Sequence, residues 1–335
     1  MIRSLTDRTD LRKEIPLEKP LVLIVEPTNI CNYRCRFCPI TIPEHGRYKH
    51  APPHNMTFDE FKHVIDSAKD GFGHIKTLQL YNLGEPLINK NIVRMINYVK
   101  DVDLADSLRI FSNGALLNPT LSIELAEALG KGGKSIVQFS IEHVNDEGYK
   151  EVTGVKQSYD SLLTNIAYFY VNANHENTFV ICKLIRDCTT PEDERKFKKD
   201  FSRIGDSVHV ESVTETIEKE DFTHKQEFVT YDGKKVTTKM ICTNPFYILC
   251  VNSNLTINAC GADIFNLNTV GNLNENSLKN IWEGEALFQL RKQHLQGKTR
   301  EICSYCGCFL NQVDNIDDVA DELLVRLENR RSQNY

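Results

Sequence analysis

Between residues 21 and 213 the sequence alternates short apolar runs with longer helical patterns, and this alternation restricts the fold more than any other feature. The fully apolar run at 21–25 is typical of a strand buried on both faces of a parallel sheet. The segment 57–70 begins with a capping box, formed by Thr57 and Glu60, and predicts a helix. Helical patterns of this kind separate the remaining predicted strands, which lie at 76–81, 107–111, 135–141, 179–185 and 208–213.

Six β/α repeats, each long enough for a right-handed crossover, predict an α/β fold built as a parallel (β/α)6 barrel or partial barrel. A doubly wound open sheet is the alternative. Residues 1–20 are predicted to form an N-terminal extension and 21–213 the barrel. Beyond them we expect a polar linker or hairpin at 214–240, a cysteine-rich domain at 241–312 and a C-terminal helix at 313–335.

The cysteine-rich domain and the C-terminal helix each need a partner to bury their apolar side chains. The cysteine-rich piece is too short to bury much core unaided, so a bound metal is expected to supply part of its stability. The C-terminal helix carries apolar residues on one face, which predicts docking on the barrel or, as the alternative, a dimer contact. These residues are Ile316, Val319, Leu323, Leu324 and Leu327.

The composition excludes several classes of protein. The chain has 335 residues, a charged fraction of 26% and a net charge of −6, which gives no general attraction to nucleic acid or anionic membranes. No apolar run approaches the roughly 18 residues of a membrane span, and the first residues lack the apolar segment of a signal peptide. We therefore expect a cytoplasmic protein with neither a membrane nor a nucleic-acid partner.

The 11 cysteines are unusual for such a protein. An odd count without a secretion signal argues against disulfides, whereas reduced thiols at short spacings are typical of metal or cluster ligands. Most of them fall into three groups along the chain, with Cys182 and Cys188 standing apart. The groups are Cys31, Cys35 and Cys38, then Cys242, Cys250 and Cys260, and finally Cys303, Cys306 and Cys308.

The first group follows the first predicted strand, in the sequence Cys31-Asn-Tyr-Arg-Cys35-Arg-Phe-Cys38. Three thiolates on one tight loop can each bind one iron of a [4Fe–4S] cube, which leaves the fourth iron without a protein ligand. An open coordination position of this kind is characteristic of catalytic metal sites. A zinc site with a fourth ligand such as His45, or three unrelated thiols, are the alternatives.

The segment 26–39, Glu-Pro-Thr-Asn-Ile-Cys-Asn-Tyr-Arg-Cys-Arg-Phe-Cys-Pro, resembles the signature of radical S-adenosylmethionine (SAM) enzymes. Leu83-Gly-Glu-Pro86 is similar to the GGEP motif of that family, with Leu in place of the first Gly. The family fold is a (β/α)6 partial barrel. The resemblance implies that SAM chelates the open iron and that an electron from the cluster cleaves SAM to methionine and a 5′-deoxyadenosyl radical, which abstracts a hydrogen atom from the substrate.

The resemblance also implies which residues contact SAM, all of them near the carboxyl ends of strands, where barrel chemistry gathers. The Gly-Glu-Pro turn exposes backbone carbonyls, and its carboxylate is expected to accept from the methionyl ammonium. Residues that end the third strand are expected to donate to the SAM carboxylate, and those that end the fourth to bind the ribose. An ordinary turn is the alternative for the Gly-Glu-Pro segment. The predicted SAM residues are Phe37 (near adenine), Gly84, Glu85, Pro86, Ser112, Asn113, Ser140 and Glu142.

A second set of cysteines is similar to the auxiliary-cluster region, called SPASM or twitch, that many radical SAM enzymes carry after the barrel. The stretch 271–282, Gly-Asn-Leu-Asn-Glu-Asn-Ser-Leu-Lys-Asn-Ile-Trp, strengthens this resemblance. Leu255 stands where the family usually has Gly, so we expect a hairpin of different shape. The four-ligand twitch version fits best, because a full SPASM domain needs more thiols. Its ligands would be Cys242, Cys260, Cys303 and Cys306 around one [4Fe–4S] cluster that moves electrons.

A structural zinc site is the alternative for these four thiols. Cys250 and Cys308 are expected to be packing residues or spare thiols. The segment 43–54, rich in His and Pro, predicts an ordered lid over the site and not a metal site.

Three residues are candidates for catalysis. Cys182 and Lys183 are neighbours on the fifth strand, so their side chains point to opposite faces and one of them should face the barrel interior. Cys182 is a candidate hydrogen-atom donor, with a buried structural thiol as the alternative. Lys183 is a candidate base or substrate clamp, and Glu211 on the sixth strand a candidate acid or base.

With one auxiliary cluster the chain most resembles twitch-type alcohol dehydrogenases that act on aminocyclitols or sugars. The resemblance implies oxidation of a carbohydrate-like alcohol, with electron transfer to the auxiliary cluster and a flavodoxin or ferredoxin as reductant. Modification of a ribosomal peptide by epimerisation or cross-linking is the alternative, weakened because about 20 residues precede the first strand, too few for a leader-binding domain. A zinc-stabilised binding protein without catalysis is the alternative from another class.

Overall fold

The computed structural model describes residues 8–38, 41, 51–213, 239–298, 300, 303, 306–308 and 312–333. The predicted linker at 214–240 and the predicted lid at 43–54 fall largely outside these ranges, as does His45. All predicted catalytic, SAM-binding and cluster-binding residues lie within them.

The first part of the chain is a run of parallel strands joined by helices, which confirms the predicted α/β class and the partial barrel. Its strands are β1 (Val22–Val25), β2 (Ile75–Gln79), β3 (Ala105–Ser112), β4 (Lys134–Ile141), β5 (Thr178–Ile185) and β6 (Ser207–Glu211). Its helices are α1 (Leu11–Glu14), α2 (Phe58–Phe72), α3 (Ile92–Val102), α4 (Pro119–Gly130), α5 (Asp146–Thr153), α6 (Tyr159–Asn172) and α7 (Pro191–Phe201).

Helix α5 is absent from the sequence prediction because it has only eight residues, mostly polar, with Gly148 inside it. Its N-cap is Asn145, whose side chain accepts from the Gly148 backbone, and it ends at Gly154 in the left-handed conformation that glycine tolerates. Local capping therefore stabilises a helix whose composition alone does not predict it.

The strands form one sheet in the order β6-β5-β4-β3-β2-β1, with parallel pairing throughout. Alternate residues of each strand face the outer helices or the interior of the partial barrel. On β5 the outward residues Val180, Cys182 and Leu184 are fully buried, while Lys183 faces the interior. The register places Ser140 of β4 opposite Lys183, and Lys183 opposite His209 of β6, so these three side chains share the interior face.

The cysteine-rich part continues the same sheet. It contains α8 (Asn244–Tyr247), β7 (Ile248–Val251), β8 (Thr256–Asn258), β9 (Thr269–Asn272), α9 (Leu278–Trp282) and α10 (Glu285–Leu295). Strand β7 pairs in parallel with β1, and β8 and β9 follow in antiparallel order. Leu249, Ile257 and Trp282 belong to the same hydrophobic core as the barrel. Packing on the barrel therefore supplies core that this short piece could not bury unaided.

A second, smaller core joins the two ends of the described chain. Helix α11 (Ala320–Gln333) buries Leu323 and Leu327, and Ile316 just before it is also buried. These residues pack with Leu11 and Ile15 of the N-terminal segment, next to α8 and α10. No helix among the described residues is both long enough and apolar enough to cross a membrane.

Candidate active site and auxiliary cluster site

The loop that carries the first three cysteines is fixed by backbone hydrogen bonds to two other elements. Arg34 N–H donates to the Thr153 carbonyl at 2.9 Å and Arg36 N–H to the Val152 carbonyl at 2.9 Å, so the end of α5 holds one side of the loop. On the other side, Glu85 N–H donates to the Ile30 carbonyl at 2.8 Å. Helix α5, which the sequence prediction missed, is thus a support of the cysteine loop.

Of the three cysteines of this loop, Cys35 is buried and Cys31 and Cys38 are partly buried. Burial raises the pKa of Cys31 to about 11 and also raises the pKa of Cys35, and the negative charge of the neighbouring thiolates adds to both shifts. Thiolates crowded in this way require a nearby positive charge, which the irons of a cluster would supply. The donor set, three thiols on one loop, therefore fits a [4Fe–4S] cluster with an open iron.

A site for a single metal ion has other requirements than a cluster site, because several side chains must converge on one point. No group of three or more His, Cys, Asp or Glu side chains among the described residues could hold a metal ion. This finding does not count against a cluster, because each thiolate of a cube binds a different iron.

Gly84 brings the Gly-Glu-Pro turn into contact with the cysteine loop. A Cβ at Gly84 would lie 2.8 Å from the carbonyl carbon of Thr28 and 2.9 Å from the carbonyl oxygen of Ile30, closer than real Cβ contacts. Only glycine fits this approach. The turn is therefore packed directly on the backbone that precedes Cys31, and Pro86 then starts a short 3-10 turn.

The Glu85 carboxylate is a hydrogen-bond acceptor at the centre of the site. It accepts from the Ser112 hydroxyl at 2.7 Å, from the Asn113 backbone N–H at 2.7 Å and from the Leu87 backbone N–H at 3.0 Å. Burial raises the pKa of Glu85, although these three hydrogen bonds oppose the shift. The carboxylate links the turn after β2 to the carboxyl end of β3.

The two polar residues at the end of β3 use their side chains within the protein. The Ser112 hydroxyl donates to Glu85 and accepts from the Gly114 backbone N–H at 3.0 Å. The Asn113 amide donates to the Asn32 side chain at 2.8 Å and accepts from the Ala115 N–H. Their observed contacts position Glu85 and the cysteine loop.

Glu142, just beyond the end of β4, has an unmatched polar atom. Its Oε2 is buried and has no hydrogen-bond partner among the described residues. Burial raises the pKa of Glu142 to about 7, with Lys183 opposing and Glu85 adding to the shift. A buried acceptor without a donor is costly unless a ligand supplies one. The hydroxyls of a ribose would do so, and this residue therefore fits SAM.

The interior face beyond Glu142 carries a charged group of three side chains. Lys183 Nζ lies 3.5 Å from Glu211 Oε2, and His209 Nε2 lies 2.9 Å from Glu211 Oε1. Burial opposes ionisation of Glu211, but the hydrogen bond from His209 and the charge of Lys183 outweigh it and lower the pKa. His209 was missed in the sequence prediction, although its position two residues before Glu211 gives it the same face of β6.

An aromatic pair lies on the interior side of the sheet. The rings of Tyr81 and Phe111 stack with centroids 3.9 Å apart and an interplanar angle of 13°. Phe111 lies on β3 two residues before Asn113, opposite Gln138 of β4 in the register. Phe37 of the cysteine loop is partly buried and packs against the main core.

Cys182 is placed apart from all of these residues. It is fully buried on the outward face of β5, where its thiol donates to the Ile204 carbonyl at 3.8 Å. A Cβ on Gly205 would lie 3.1 Å from its sulfur. Cys182 thus packs under the outer layer, while Lys183 is the residue of this pair that faces the interior.

The four cysteines predicted to bind the auxiliary cluster line one cavity. Cys242, Cys260, Cys303 and Cys306 line it, and burial raises the pKa of Cys260 to about 12 and that of Cys242 well above its usual value. N–H donors point at the sulfurs: the Asn244 amide lies 3.2 Å from Cys260 Sγ, the Ala262 backbone N–H 3.3 Å from the same atom and the Asn268 amide 3.6 Å from Cys303 Sγ. Such donors stabilise cluster-bound thiolates, so the site fits an iron–sulfur cluster.

Two further cysteines differ in their relation to this cavity. Cys308 lies beside the auxiliary thiols, and a hydrogen bond with Cys306, together with burial, raises its pKa well above the usual value. Cys250 is buried on β7, in register with Ile24 of β1, and its sulfur accepts from the Asn82 amide at 3.7 Å. The expectation of a spare thiol therefore suits Cys250 better than Cys308.

Leu255 lies in the hairpin between β7 and β8, at the position where Leu stands in place of the usual Gly. Leu255 has a φ of +66°, in the left-handed region that favours glycine, and its side chain is buried. Leu255 therefore adopts a backbone conformation that favours glycine, and burial of its side chain offsets part of the backbone cost.

Two ranges of the chain match models of known protein families. Residues 25–183 match the radical SAM superfamily, and residues 242–307 match SPASM, described as an iron-sulfur cluster-binding domain. Among curated proteins, the GTP 3′,8-cyclase of Desulforamulus reducens is 30% identical over 131 residues, and that of Alkaliphilus oremlandii 32% over 127. These alignments cover 39% and 38% of this chain, and 37% and 36% of the relatives. The chain thus spans less than two fifths of their length.

Solved structures resemble a larger part of the chain. BtrN in complex with AdoMet and 2-DOIA has a TM-score of 0.53 at 18% identity, covering 88% of this chain and 94% of that one. Streptococcus suis SuiB bound to precursor peptide SuiA gives 0.56 at 15%, covering 90% and 72%. Native anSMEcpe with bound AdoMet and Cp18Cys peptide gives 0.56 at 14%, covering 94% and 100%. At these identities the likeness shows the fold alone.

The partial barrel, the three-thiol loop and these matches define an iron–sulfur protein that uses SAM. The chain belongs to the radical SAM superfamily of enzymes and carries a C-terminal SPASM iron–sulfur domain. Its cofactors are SAM, the [4Fe–4S] cluster of the radical SAM core and an auxiliary iron–sulfur cluster. This assignment replaces the zinc alternatives and the alternative of a non-catalytic binding protein.

Proposed function

We propose that the enzyme oxidises a secondary alcohol of a sugar or aminocyclitol to a ketone, in a SAM-dependent reaction that removes two electrons. The observation that carries this proposal is the group formed by Lys183, His209 and Glu211 on the interior face, next to Glu142. An alcohol oxidation needs a proton acceptor close to the carbon that loses hydrogen. This group supplies one at the open end of the strands, where barrel enzymes hold their substrates.

The same proposal assigns the cofactor contacts. Cys31, Cys35 and Cys38 bind the first cluster, and the Gly84–Pro86 turn forms the wall against which SAM lies. Glu142, with its unmatched Oε2, accepts from the ribose. Ser140 lies two residues earlier on the same face of β4, opposite Lys183 in the register. Glu85 keeps Ser112 and Asn113 in place, and its remaining acceptor capacity faces the methionyl ammonium.

When bound, SAM and the first cluster together supply a carbon radical that removes one hydrogen atom from the substrate carbinol carbon. His209 then accepts the hydroxyl proton. In the tautomer that carries its proton on Nε2, His209 donates to Glu211 and leaves Nδ1 free to act as base, the relation that a carboxylate gives a catalytic histidine. Lys183 keeps Glu211 ionised and can bind a neighbouring hydroxyl.

The remaining electron completes the balance. The substrate loses one hydrogen atom, one proton to His209 and one electron, and the carbinol C–O bond becomes a carbonyl. Cys242, Cys260, Cys303 and Cys306 would hold the auxiliary cluster, which would supply an acceptor for this electron. A cluster with four thiolate ligands has no position for substrate, so electron transfer is the role left to it.

The interior face suits a cyclic polyol in two respects. Its charged and polar side chains can bind hydroxyl and amino groups, and the Tyr81–Phe111 pair offers a flat apolar surface. The peptide alternative is less well supported, because the thiol proposed as hydrogen donor, Cys182, lies on the outward face of β5. Oxidation of an alcohol needs no such donor.

The experiment is an anaerobic assay of the reconstituted enzyme with SAM and a reductant, either dithionite or a flavodoxin or ferredoxin. The substrates are sugars and aminocyclitols carrying deuterium at single carbinol carbons, with Cα-deuterated peptides in parallel. We expect deuterium in 5′-deoxyadenosine and a product lighter by two hydrogens from one polyol position. Deuterium transfer from the peptides alone, or none from any polyol position, would contradict the proposal.

A further inference from the structure

His294, near the end of α10, is a buried histidine inside the auxiliary site. It is 1% exposed and lines the same cavity as Cys242, Cys260, Cys303 and Cys306. Neither ring nitrogen has a hydrogen-bond partner among the residues that the structure describes. Buried polar groups in proteins are nearly always paired, so two unpaired nitrogens on one ring indicate a partner other than the residues that the structure describes.

The other polar side chains that line this cavity are already engaged. Asn244 donates to Cys260 Sγ and Asn268 to Cys303 Sγ, while Asp263 accepts from the backbone N–H groups of Leu267 and Asn268 at 3.0 and 2.6 Å. The surroundings thus show a consistent pattern, in which side-chain N–H groups are directed at sulfur. His294 is the donor of this lining whose acceptor is missing from the described residues.

We propose that His294 donates a ring N–H to a sulfur of the auxiliary cluster and thereby raises the reduction potential of that cluster. A histidine ring carries at least one N–H in either protonation state, and the sulfide and thiolate sulfurs of a cluster accept such bonds. Reduction places more negative charge on these sulfurs, so an N–H donor stabilises the reduced form more than the oxidised form.

In this proposal His294 is a hydrogen-bond donor to the cluster and not an iron ligand, since the four cysteines complete the iron coordination. The inference rests on the presence of the auxiliary cluster and is independent of the substrate proposed above. If the enzyme acts on a peptide and not on a polyol, the potential of the cluster is unaffected. The two proposals can therefore fail separately.

The test is a redox titration of the full-length protein, followed by electron paramagnetic resonance (EPR), with Cys31, Cys35 and Cys38 replaced by Ala so that the auxiliary cluster gives the signal. Three further variants are compared in this background. His294→Leu removes the donor, His294→Gln keeps a side-chain N–H, and Leu290→Met changes packing at another residue that lines the cavity.

We expect His294→Leu to lower the equilibrium constant for one-electron reduction about tenfold, which is a negative shift of about 59 mV. His294→Gln should recover most of this loss, and Leu290→Met should leave the potential unchanged. Equal potentials for His294→Leu and the parent protein would overturn the proposal. So would an equal shift in Leu290→Met, because packing would then be the cause.

A second measurement applies even if His294→Leu does not retain its cluster. Pulsed EPR of the reduced parent protein labelled with 15N-histidine should show a weak 15N coupling together with an exchangeable proton. The absence of both would contradict the hydrogen bond. A strong coupling, typical of nitrogen bound to iron, would show that His294 is a ligand and would equally overturn the proposal.

Discussion

Gly84 lies so close to Thr28 that a Cβ on Gly84 would stand 2.8 Å from the Thr28 carbonyl carbon. This contact joins the Gly-Glu-Pro turn to the start of the cysteine loop, and the Glu85 N–H bond to Ile30 follows directly from it. The turn proposed to bind SAM and the loop proposed to bind the cluster are thus positioned as one unit, and we expect a change in one to displace the other.

Gly84→Ala is therefore expected to push the turn away from the loop, at a cost of about 1–3 kcal/mol. We expect lower iron content after reconstitution and weaker SAM binding, measured by iron analysis and by equilibrium binding under anaerobic conditions. Gly73→Ala is the control, because Gly73 has no atom near its Cβ position; its positive φ, which Gly84 does not share, should lower stability without displacing the cysteine loop. Full iron content and unchanged SAM affinity in Gly84→Ala would show that the loop tolerates displacement.

Glu142 predicts how the stability of the cluster-free protein depends on pH. Its pKa is raised by burial to about 7 in the folded state, whereas the unfolded value is 4.5. The folded protein therefore holds the proton more tightly, so the stabilising effect is complete below pH 4.5 and is lost as the pH rises to 7. The difference corresponds to about 3 kcal/mol at most.

Glu142→Gln should remove this dependence. We expect the variant to be more stable than the parent protein at pH 8 by about 1–3 kcal/mol and similar to it at pH 5, in urea unfolding of the apo protein. The same variant should bind SAM less tightly, because the amide replaces an acceptor for the ribose. Parallel stability curves for the two proteins between pH 5 and pH 8 would be evidence against a buried, ionising Glu142.

The sequence predicts those parts of the fold and site that depend on local pattern. Alternation of apolar runs and helices defines the partial barrel, and residues at the carboxyl ends of β2, β3 and β4 converge because parallel strands end at one edge. Glu85 and Glu142 stand at two of these strand ends and were predicted as SAM contacts from the resemblance to the radical SAM family. Their partners were not, since a pattern does not show that Ser112 donates to Glu85 or that Glu142 Oε2 lacks a donor.

Pairings between distant segments could not be predicted for a different reason. Strand β7 lies beside β1, more than 220 positions away in the sequence, and nothing in either strand specifies that partner. His294 was not predicted as a site residue, because it lies on a helix nine residues before Cys303 and forms no ligand-spacing motif with the cysteines. Only the fold shows that α10 turns this residue toward the auxiliary cysteines.

Leu255 provides a test of backbone strain in the hairpin after β7. Leu255→Ala and Leu255→Gly both remove the buried side chain, but only Gly relieves the positive φ of +66°. We expect both variants to be less stable than the parent protein, with Leu255→Gly more stable than Leu255→Ala by about 1 kcal/mol in chemical unfolding. The reverse order would mean that the left-handed conformation is not retained in solution.

Cys308 tests the assignment of the auxiliary ligands. It lies beside Cys306, yet the proposed set contains Cys306 and not Cys308. In the protein that lacks the first three cysteines, we expect Cys308→Ala to retain about four irons per chain and Cys306→Ala to lose them. Cys250→Ala is the control for removal of a buried thiol elsewhere. Iron loss in Cys308→Ala, with retention in Cys306→Ala, would exchange the two residues in the ligand set.

His209 is the residue on which the proposed proton transfer depends. We expect His209→Asn to lower the rate of ketone formation by about 10²–10⁴, as is usual for loss of a general base. Formation of 5′-deoxyadenosine should persist, because hydrogen abstraction precedes proton removal, so the two products become uncoupled. Glu211→Gln should show the same uncoupling to a smaller extent, since Glu211 orients His209 through the 2.9 Å contact.

The matched control for His209 is Cys182→Ala, at a buried position on the outward face of the adjacent strand β5. It should lower stability without uncoupling 5′-deoxyadenosine from ketone, which mass spectrometry of both products measures. If His209→Asn forms ketone at the parental rate while Cys182→Ala does not, the proton acceptor is not His209. The interior face would then have to supply another base, and Glu211 and Lys183, which form one group with His209, are the side chains that the geometry leaves for that role.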